Sequence, residues 1–305
     1  MEMLGISPSG IYVDGTLGGG GHSRLILERL GPRGRLIGID RDPEAIEAAT
    51  ARLQDPRFKA VRGNFHDVGK ILDELQIPLI DGMLLDLGVS SHQLDAGERG
   101  FSYHQDAPLD MRMDPDSPLS AAQICNTWTP EEIERILLDY GEERWARRIA
   151  QVMVQRRPLV TTGDLVACVD AAIPRAVRDK DSGHSARRTF QALRIAVNDE
   201  LTPLAGVLGE IVSRLSPCGR LAVITFHSLE DRIVKQTLRA LEHPCICPPR
   251  APVCVCHRQS VVSVLKNRKP SMEEIGANPR SRSAMLRGCE RTENPLTFDV
   301  TSVMR

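Results

Sequence analysis

Acidic residues set around a run of glycines carry the first chemical signal in this chain. The stretch Tyr12-Val13-Asp14-Gly15-Thr16-Leu17-Gly18-Gly19-Gly20-Gly21-His22-Ser23 runs from a β-branched strand through an acid and four glycines to a helix start. Glycine loses more backbone freedom on folding than any other residue, so four in a row are costly. They are tolerated where the backbone must come very close to another body. Just after a first strand, that body is usually a nucleotide-like cofactor. Asp40 lies twenty residues after Gly20 and closes the run Arg35-Leu36-Ile37-Gly38-Ile39-Asp40. An acid there is placed to accept hydrogen bonds from ribose hydroxyls. Asn64-Phe65 follows a third candidate strand, and Asp86 ends a fourth.

Three cofactors compete for this pattern. ATP or GTP in a P-loop requires G-x-x-x-x-G-K-[ST], and this loop ends in Gly21-His22-Ser23 without a lysine. NAD uses G-x-G-x-x-G and a second mononucleotide-binding half, which is missing here. S-adenosylmethionine fits best, with a glycine loop and acids at the ends of strands one, two and four. Taken singly, Asp14 also reads as a loop-capping carboxylate and Asp40 as a strand-end turn residue. Their combination is what points to a cofactor.

Cysteine supplies a second cluster. Four of the eight cysteines are packed as Cys245-x-Cys247 and Cys254-x-Cys256, with Pro248-Pro249 and Pro252 between them. Four thiolates could bind zinc, although C-x-C is tighter than the usual C-x₂₋₄-C spacing. A cysteine-rich loop without metal is the other reading, and disulfides are not expected in a cytosolic protein. Cys125, Cys168, Cys218 and Cys289 stand alone and read as ordinary small residues.

The 305 residues suffice for one large domain or two smaller ones. Their 41% hydrophobic and 26% charged content is that of an ordinary globular protein. Met1-Glu2-Met3-Leu4-Gly5 has neither a basic n-region nor an apolar h-region. No apolar run approaches the ~20 residues that span a bilayer, so the expectation is a cytoplasmic protein with no membrane partner. The net charge of −1 does not announce a nucleic-acid binder, but the distribution says more. Arginine outnumbers lysine 33 to 6, and arginine suits planar, bidentate contact with phosphate or a base edge. A GC-rich genome would also favour arginine. The basic residues cluster at Arg144–Arg157, Arg175–Arg194 and Lys266–Arg291, which suggests basic faces balanced by acidic ones. Solvated helix faces are the plainer reading.

The elements that must position these residues alternate at first. Ile11–Asp14, Arg35–Asp40, Phe58–Arg62 and Gly82–Leu87 read as strands. A helix with Ser23 as N-cap runs to Leu30, and Gly31-Pro32 stops it. Asp42 caps a second helix with Pro43 at its first position. This alternation implies a parallel sheet with helices on both faces. From Ala107 to Thr202 only helices are evident, among them one opened by the capping box Thr129-Pro130-Glu131-Glu132. The α/β pattern then resumes with a helix over Leu204–Leu215, a turn over Ser216–Gly219 and a strand over Arg220–Thr225. Residues 1–106 and 203–305 are therefore expected to form one α/β domain, split by a helical insertion at 107–202.

At this point the chain resembles the bacterial 16S ribosomal RNA cytosine-N4 methyltransferases (RsmH, formerly MraW). The matching segments include Asp14–Ser23, Gly38–Pro43, Leu85–Ser91, Arg99–Tyr103, Leu109–Asp114 and Gly141–Arg144. Later come Phe190–Leu201, Phe226–Asp231 and Asn278–Ala284, so the likeness spans nearly the whole chain. It implies a class I (Rossmann-like) S-adenosylmethionine-dependent methyltransferase sheet with a helical insertion that contacts RNA. Carried over by position, the cofactor contacts fall on Gly20, Gly21, His22, Asp40, Phe65, Asp86 and Gln93. Without the resemblance Phe65 reads as a core residue, His22 as a solvent-facing helix residue and Gln93 as a polar loop residue. Two departures stand out. The family has a further N-terminal segment with a His-x-Pro-Val-Leu-like start, whereas ten residues precede Ile11 here, which suggests a misassigned start or a lost substrate contact. His92 stands where many members have proline, with little consequence expected.

The implied reaction is methyl transfer to the N4 amine of a cytosine in 16S rRNA, in the decoding region of the small subunit. The amine's lone pair is delocalised into the ring, so a site must accept its hydrogen bonds and take its proton. Where many amino-methyltransferases carry an Asn/Asp/Ser-Pro-Pro-aromatic motif, this chain has Asp86-Leu87-Gly88-Val89. Asp86 is therefore open to serving the cofactor, the amine or both, and is the expected main acceptor; Asp110 and His227 are weaker candidates that read first as structural. Arg187, Arg188 and Arg194 are the expected phosphate contacts. The partners implied are 16S rRNA or the small ribosomal subunit, with a homodimer left open. A methyltransferase of this fold acting on DNA or protein is one alternative. An assembly factor that binds the cofactor without turnover is another.

Overall fold

A computed structural model describes residues 1–90, 93–94, 97–179, 183–248 and 253–302. Ser91, His92, Lys180, Pro249 and Pro252 lie outside the described residues. The chain divides into two compact units, Met1–Gly88 with Leu201–Arg305, and Val89–Glu200.

The first unit is built on one sheet. Its strands are β1 (Ile11–Asp14), β2 (Arg35–Asp40), β3 (Phe58–Arg62), β4 (Ile80–Asp86), β5 (Leu215–Thr225), β6 (Val262–Val264) and β7 (Met285–Arg291). Their spatial order is β3-β2-β1-β4-β5-β7-β6. β1 to β5 pair in parallel, and β7 runs antiparallel to β5 and β6. This is the Rossmann-like class I sheet that the resemblance implies. Side chains alternate between its faces. Val13, Ile37, Ile39, Met83, Leu85 and Val223 join a core with the helices Val68–Glu74 and Leu204–Arg214. Tyr12, Leu36, Leu84 and Ala222 pack on the other face against Ile26, Leu27 and Leu30. Both faces are covered at its centre, so β1, β2 and β4 read as near-continuous apolar runs rather than polar–apolar alternation.

Register places the acids. Asp14 pairs with Gly38 of β2 and Leu84 of β4. Asp40 and Asp86 thus each lie two residues beyond the end of β1, one on either side. The order of strands reverses there, at the crevice where open α/β sheets bind ligands.

Three expectations shift. The helix before β5 ends at Arg214, and β5 already begins at Leu215. Pairing jumps from Ile80↔Leu215 to Gly82↔Arg220, so Ser216–Gly219 bulges out of a strand instead of preceding one. β6 and β7 escape the sequence reading. β6 is short, and the charges of β7 are paired from neighbouring elements, with Arg287 bidentate to Asp231 and Glu290 bound by Arg220.

The second unit, Val89–Glu200, is helical, and it includes residues 89–106, which the sequence reading places in the α/β domain. Phe101, Leu109, Met111 and Met113 bury their side chains in the same core as Ile133, Leu137, Phe190 and Leu193. Asn198 ties this early segment to the unit's last helix, donating to Met111 O and accepting from Met113 N, both at 2.8 Å. Capping boxes at Ser120/Gln123, Thr129/Glu132 and Thr161/Asp164 start three of its helices. Among the described residues no helix is long and apolar enough to cross a membrane.

Candidate active site

The glycine loop is braced from beneath by Asp14. Its fully buried carboxylate accepts from Ser23 Oγ at 2.7 Å and from Thr16 N at 3.3 Å. Burial pushes its pKa upward, against the pull of the Ser23 bond. Asp14 is thus the loop-capping carboxylate. The chain leaves β1 clipped to both neighbours, Gly15 N to Leu84 O at 2.9 Å and Leu17 N to Ile39 O at 3.0 Å. A Cβ on Gly15 would come within 2.5 Å of Met83 Cε and 2.6 Å of Leu85 Cδ2, so the buried ends of both side chains would have to shift to admit one.

The helix α1 spans Gly21–Leu27 with Gly20 as its N-cap. Ser23 was the expected cap. Instead it sits inside the first turn and spends its hydroxyl on Asp14, while Gly20 adopts the left-handed φ of 75° that makes the turn. Cβ atoms on Gly19 or Gly21 would meet nothing within 4 Å. In those directions the loop presents open backbone that a cofactor can approach closely, while Arg52 Nη1 donates to Gly19 O at 3.1 Å.

Asp40 works on two sides. Its Oδ2 accepts from Gly18 N at 2.8 Å and its Oδ1 from Asp42 N at 3.0 Å. Burial raises its pKa, and these two amide bonds oppose the shift. Each carboxylate oxygen can accept more than one bond, so capacity for hydroxyl donors remains. Asp42 caps the helix Pro43–Arg52 through Glu44 N, as its spacing predicts.

Asp86 is held most asymmetrically. Its amide donates to Thr16 Oγ1 at 2.6 Å. Its Oδ2 lies 3.2 Å from His22 Nε2, and that bond is the main cause of the raised His22 pKa, with burial opposing it. Its Oδ1 is buried with no hydrogen-bond partner among the described residues. Leaving such an oxygen unpaired costs about 1–3 kcal/mol, more when the group is charged. An oxygen in that state has the capacity to accept a hydrogen bond from an incoming donor.

The remaining expected residues divide. Phe65 opens a short 3-10 turn after β3, close beneath Gly15, but is 8% exposed and belongs to the core. Gln93 belongs to the second unit, where it is buried and exchanges hydrogen bonds with Ser90. Asp110 is structural, paired bidentately with Arg112. His227 is the N-cap of the helix Ser228–Glu242, in a capping box with Glu230. Thr16 and Ser23 escape the sequence reading as site residues. Hydroxyls beside a glycine loop carry no signal until their partners are known.

The second unit holds a basic pocket of about 300 Å³. Arg144, Arg178, Arg187, Arg188, His184 and Trp145 are among its lining residues. Cations beside an aromatic surface suit a phosphate and an unstacked base. Arg194 is different. Its guanidinium binds Glu200 bidentately at 2.9 and 2.8 Å, with side-chain exposures of 16% and 7%. The expectation that it contacts phosphate is therefore corrected: its planar donor fork already neutralises a buried carboxylate inside the unit.

A sequence model of the MraW methylase family matches residues 1–292. A relative from Symbiobacterium thermophilum, named ribosomal RNA small subunit methyltransferase H, is 56% identical over 94% of this chain and 92% of its own. A relative of the same name from Heliobacterium modesticaldum is 54% identical over 95% of each chain. Among solved structures, an rRNA methylase from Streptococcus thermophilus aligns over 96% of this chain and 91% of its own, at 11% identity and a TM-score of 0.39.

Proposed function

The chain belongs to the MraW methylase family, and from that premise we propose that it methylates the N4 amine of a cytosine in the decoding region of 16S rRNA, using S-adenosylmethionine. The relatives' names supply the small-subunit rRNA. The cytosine amine and the decoding region follow from the resemblance in the sequence. The observation that carries the chemistry is the buried, unpartnered Oδ1 of Asp86 beside the bare glycine loop.

S-adenosylmethionine supplies an electrophilic methyl group on a sulfonium. The cradle at Gly19–Gly21 admits it, Asp40 accepts from its ribose hydroxyls, and Phe65 forms an apolar wall. Gln93 is a further contact that the resemblance implies. Asp86 Oδ1 accepts an N–H of the cytosine amine, drawing lone-pair density onto nitrogen and receiving the proton that nitrogen must lose. His22 holds the other oxygen, which fixes the carboxylate in orientation; positioning of this kind contributes much of the acceleration. Arg187 and Arg188, with Arg144, hold RNA phosphates in the second unit.

The test is mass spectrometry of 16S rRNA from a bacterium whose own relative has been deleted, with and without this chain expressed. One restored N4-methylcytosine is expected. A well-expressed, folded protein that restores no methylcytosine overturns the proposal.

A further inference from the structure

The four clustered cysteines are unused by this chemistry and lie in the first unit, between the helix Ser228–Glu242 and β6. Their sulfurs converge. Cys254 Sγ lies 3.7 Å from Cys245, 3.9 Å from Cys247 and 3.5 Å from Cys256, and Cys256 lies 3.7 Å from Cys245. All four sulfurs are within 4.8 Å of one another. These separations far exceed the ~2.05 Å of a disulfide. They match the edge of a tetrahedron, about 3.8 Å, that a metal bound at about 2.3 Å to each sulfur would impose. We propose that Cys245, Cys247, Cys254 and Cys256 form a structural zinc site.

Two further features support a metal. Backbone amides are aimed at the sulfurs: Val255 N donates to Cys247 Sγ at 3.4 Å, Cys247 N to Cys245, and the amides of Ile246 and Arg258 to Cys256. His257 takes a left-handed φ of 53°, in the turn that brings the Arg258 amide back. Such N–H···S contacts stabilise thiolates, the form that binds metal.

The second feature is what the loop lacks. None of the described residues from 245 to 260 is buried, and Ile246, Val253 and Val255 are 40%, 69% and 73% exposed. Among the described residues, no apolar core holds this segment in shape. A cross-link through sulfur would, as in small domains that substitute a metal for a core. Binding converts the remaining thiols to thiolates and releases their protons, leaving a tetrathiolate of net charge −2 around the ion. Tetrahedral S₄ coordination suits zinc or iron, and a stapling role without redox change favours zinc.

The full-length chain, purified in reductant without a metal-binding tag, should carry about one zinc per chain by elemental mass spectrometry. Replacing the zinc with Co²⁺ should give the visible and charge-transfer absorption of tetrahedral thiolate-bound cobalt. The Cys218→Ser control should keep both properties. The Cys245→Ser/Cys254→Ser double variant should lose both while keeping the circular dichroism of the parent. Reduced, folded parent protein with neither zinc nor a cobalt thiolate spectrum overturns the proposal, even if the double variant fails to fold. Iron in place of zinc, or a mass deficit matching two disulfides on these cysteines, overturns it as well.

Discussion

Asp86→Asn should leave the protein folded and remove most of its turnover. The stability side follows from the two carboxylate oxygens. The Oδ2 contact to His22 joins side chains 31% and 37% exposed, so solvent screening limits it to about 0–1 kcal/mol. An asparagine oxygen in the same place keeps a neutral hydrogen bond to His22. The unpartnered Oδ1 becomes an amide nitrogen, which removes the burden of a buried, unpaired anionic oxygen, on the order of 1–3 kcal/mol, and adds a neutral unpaired donor in exchange. These changes oppose one another, and the net shift should be within about 1 kcal/mol. Turnover has no such offset. A donor now faces the donor it must accept from, and a general base is lost, worth about 10²–10⁴-fold or roughly 3–5 kcal/mol of barrier. The assay is single-turnover transfer of labelled methyl to small-subunit RNA at saturating cofactor, beside a thermal melt and a cofactor titration. Turnover within about threefold of the parent, in a folded variant, would refute the acceptor role. A raised KM for the cofactor with kcat unchanged would assign Asp86 to cofactor binding alone.

Other perturbations separate the remaining roles. Arg187→Ala and Arg188→Ala should each weaken RNA binding and lower the salt slope by about one, with stability within about 0.5 kcal/mol of the parent. Arg194→Ala should instead destabilise the second unit by about 3–5 kcal/mol, because Glu200 is left buried and unpaired; a melt monitored by circular dichroism checks this. His22 has a raised pKa, so its contribution is present below its unfolded value of about 6.5 and is lost as pH rises through the folded one. The difference in Tm between the parent and His22→Gln should therefore shrink from mildly acidic to alkaline pH. Gly20→Ala forces a side chain into the left-handed region and against Leu53 Cδ1 at 2.9 Å. It should cost roughly 1–2 kcal/mol in a denaturant titration and weaken cofactor binding measured by calorimetry.

Much of the sheet's parallel half was legible because β1, β2 and β4 are largely buried apolar runs that each end in an acid. Asp42-Pro43 and Thr129-Pro130 announced their helices because capping is settled within one turn. β7 was hidden because Arg287 is paired with Asp231 of a helix and Glu290 with Arg220 of the next strand, so that in one dimension its charges look like a surface. The boundary at Val89 was hidden because Phe101 and Met111 show no helical period; they enter the core from loops. In the site, the types and strand-end positions of Gly20, Asp40 and Asp86 were readable, but not what each one touches.

The sequence by itself determined which residues could brace a cofactor loop, because glycine runs, strand ends and caps depend on near neighbours in the chain. Tertiary structure alone decided how they are used. His22 and Asp86 meet across 64 positions and Met113 and Asn198 across 85, and such partners follow from register and packing. The same packing left one Asp86 oxygen without a partner among the described residues, committed Arg194 to Glu200, and brought four sulfurs within 4.8 Å of one another. Hydrogen bonding and charge act over a few ångströms of space, and separation along the chain does not measure that distance.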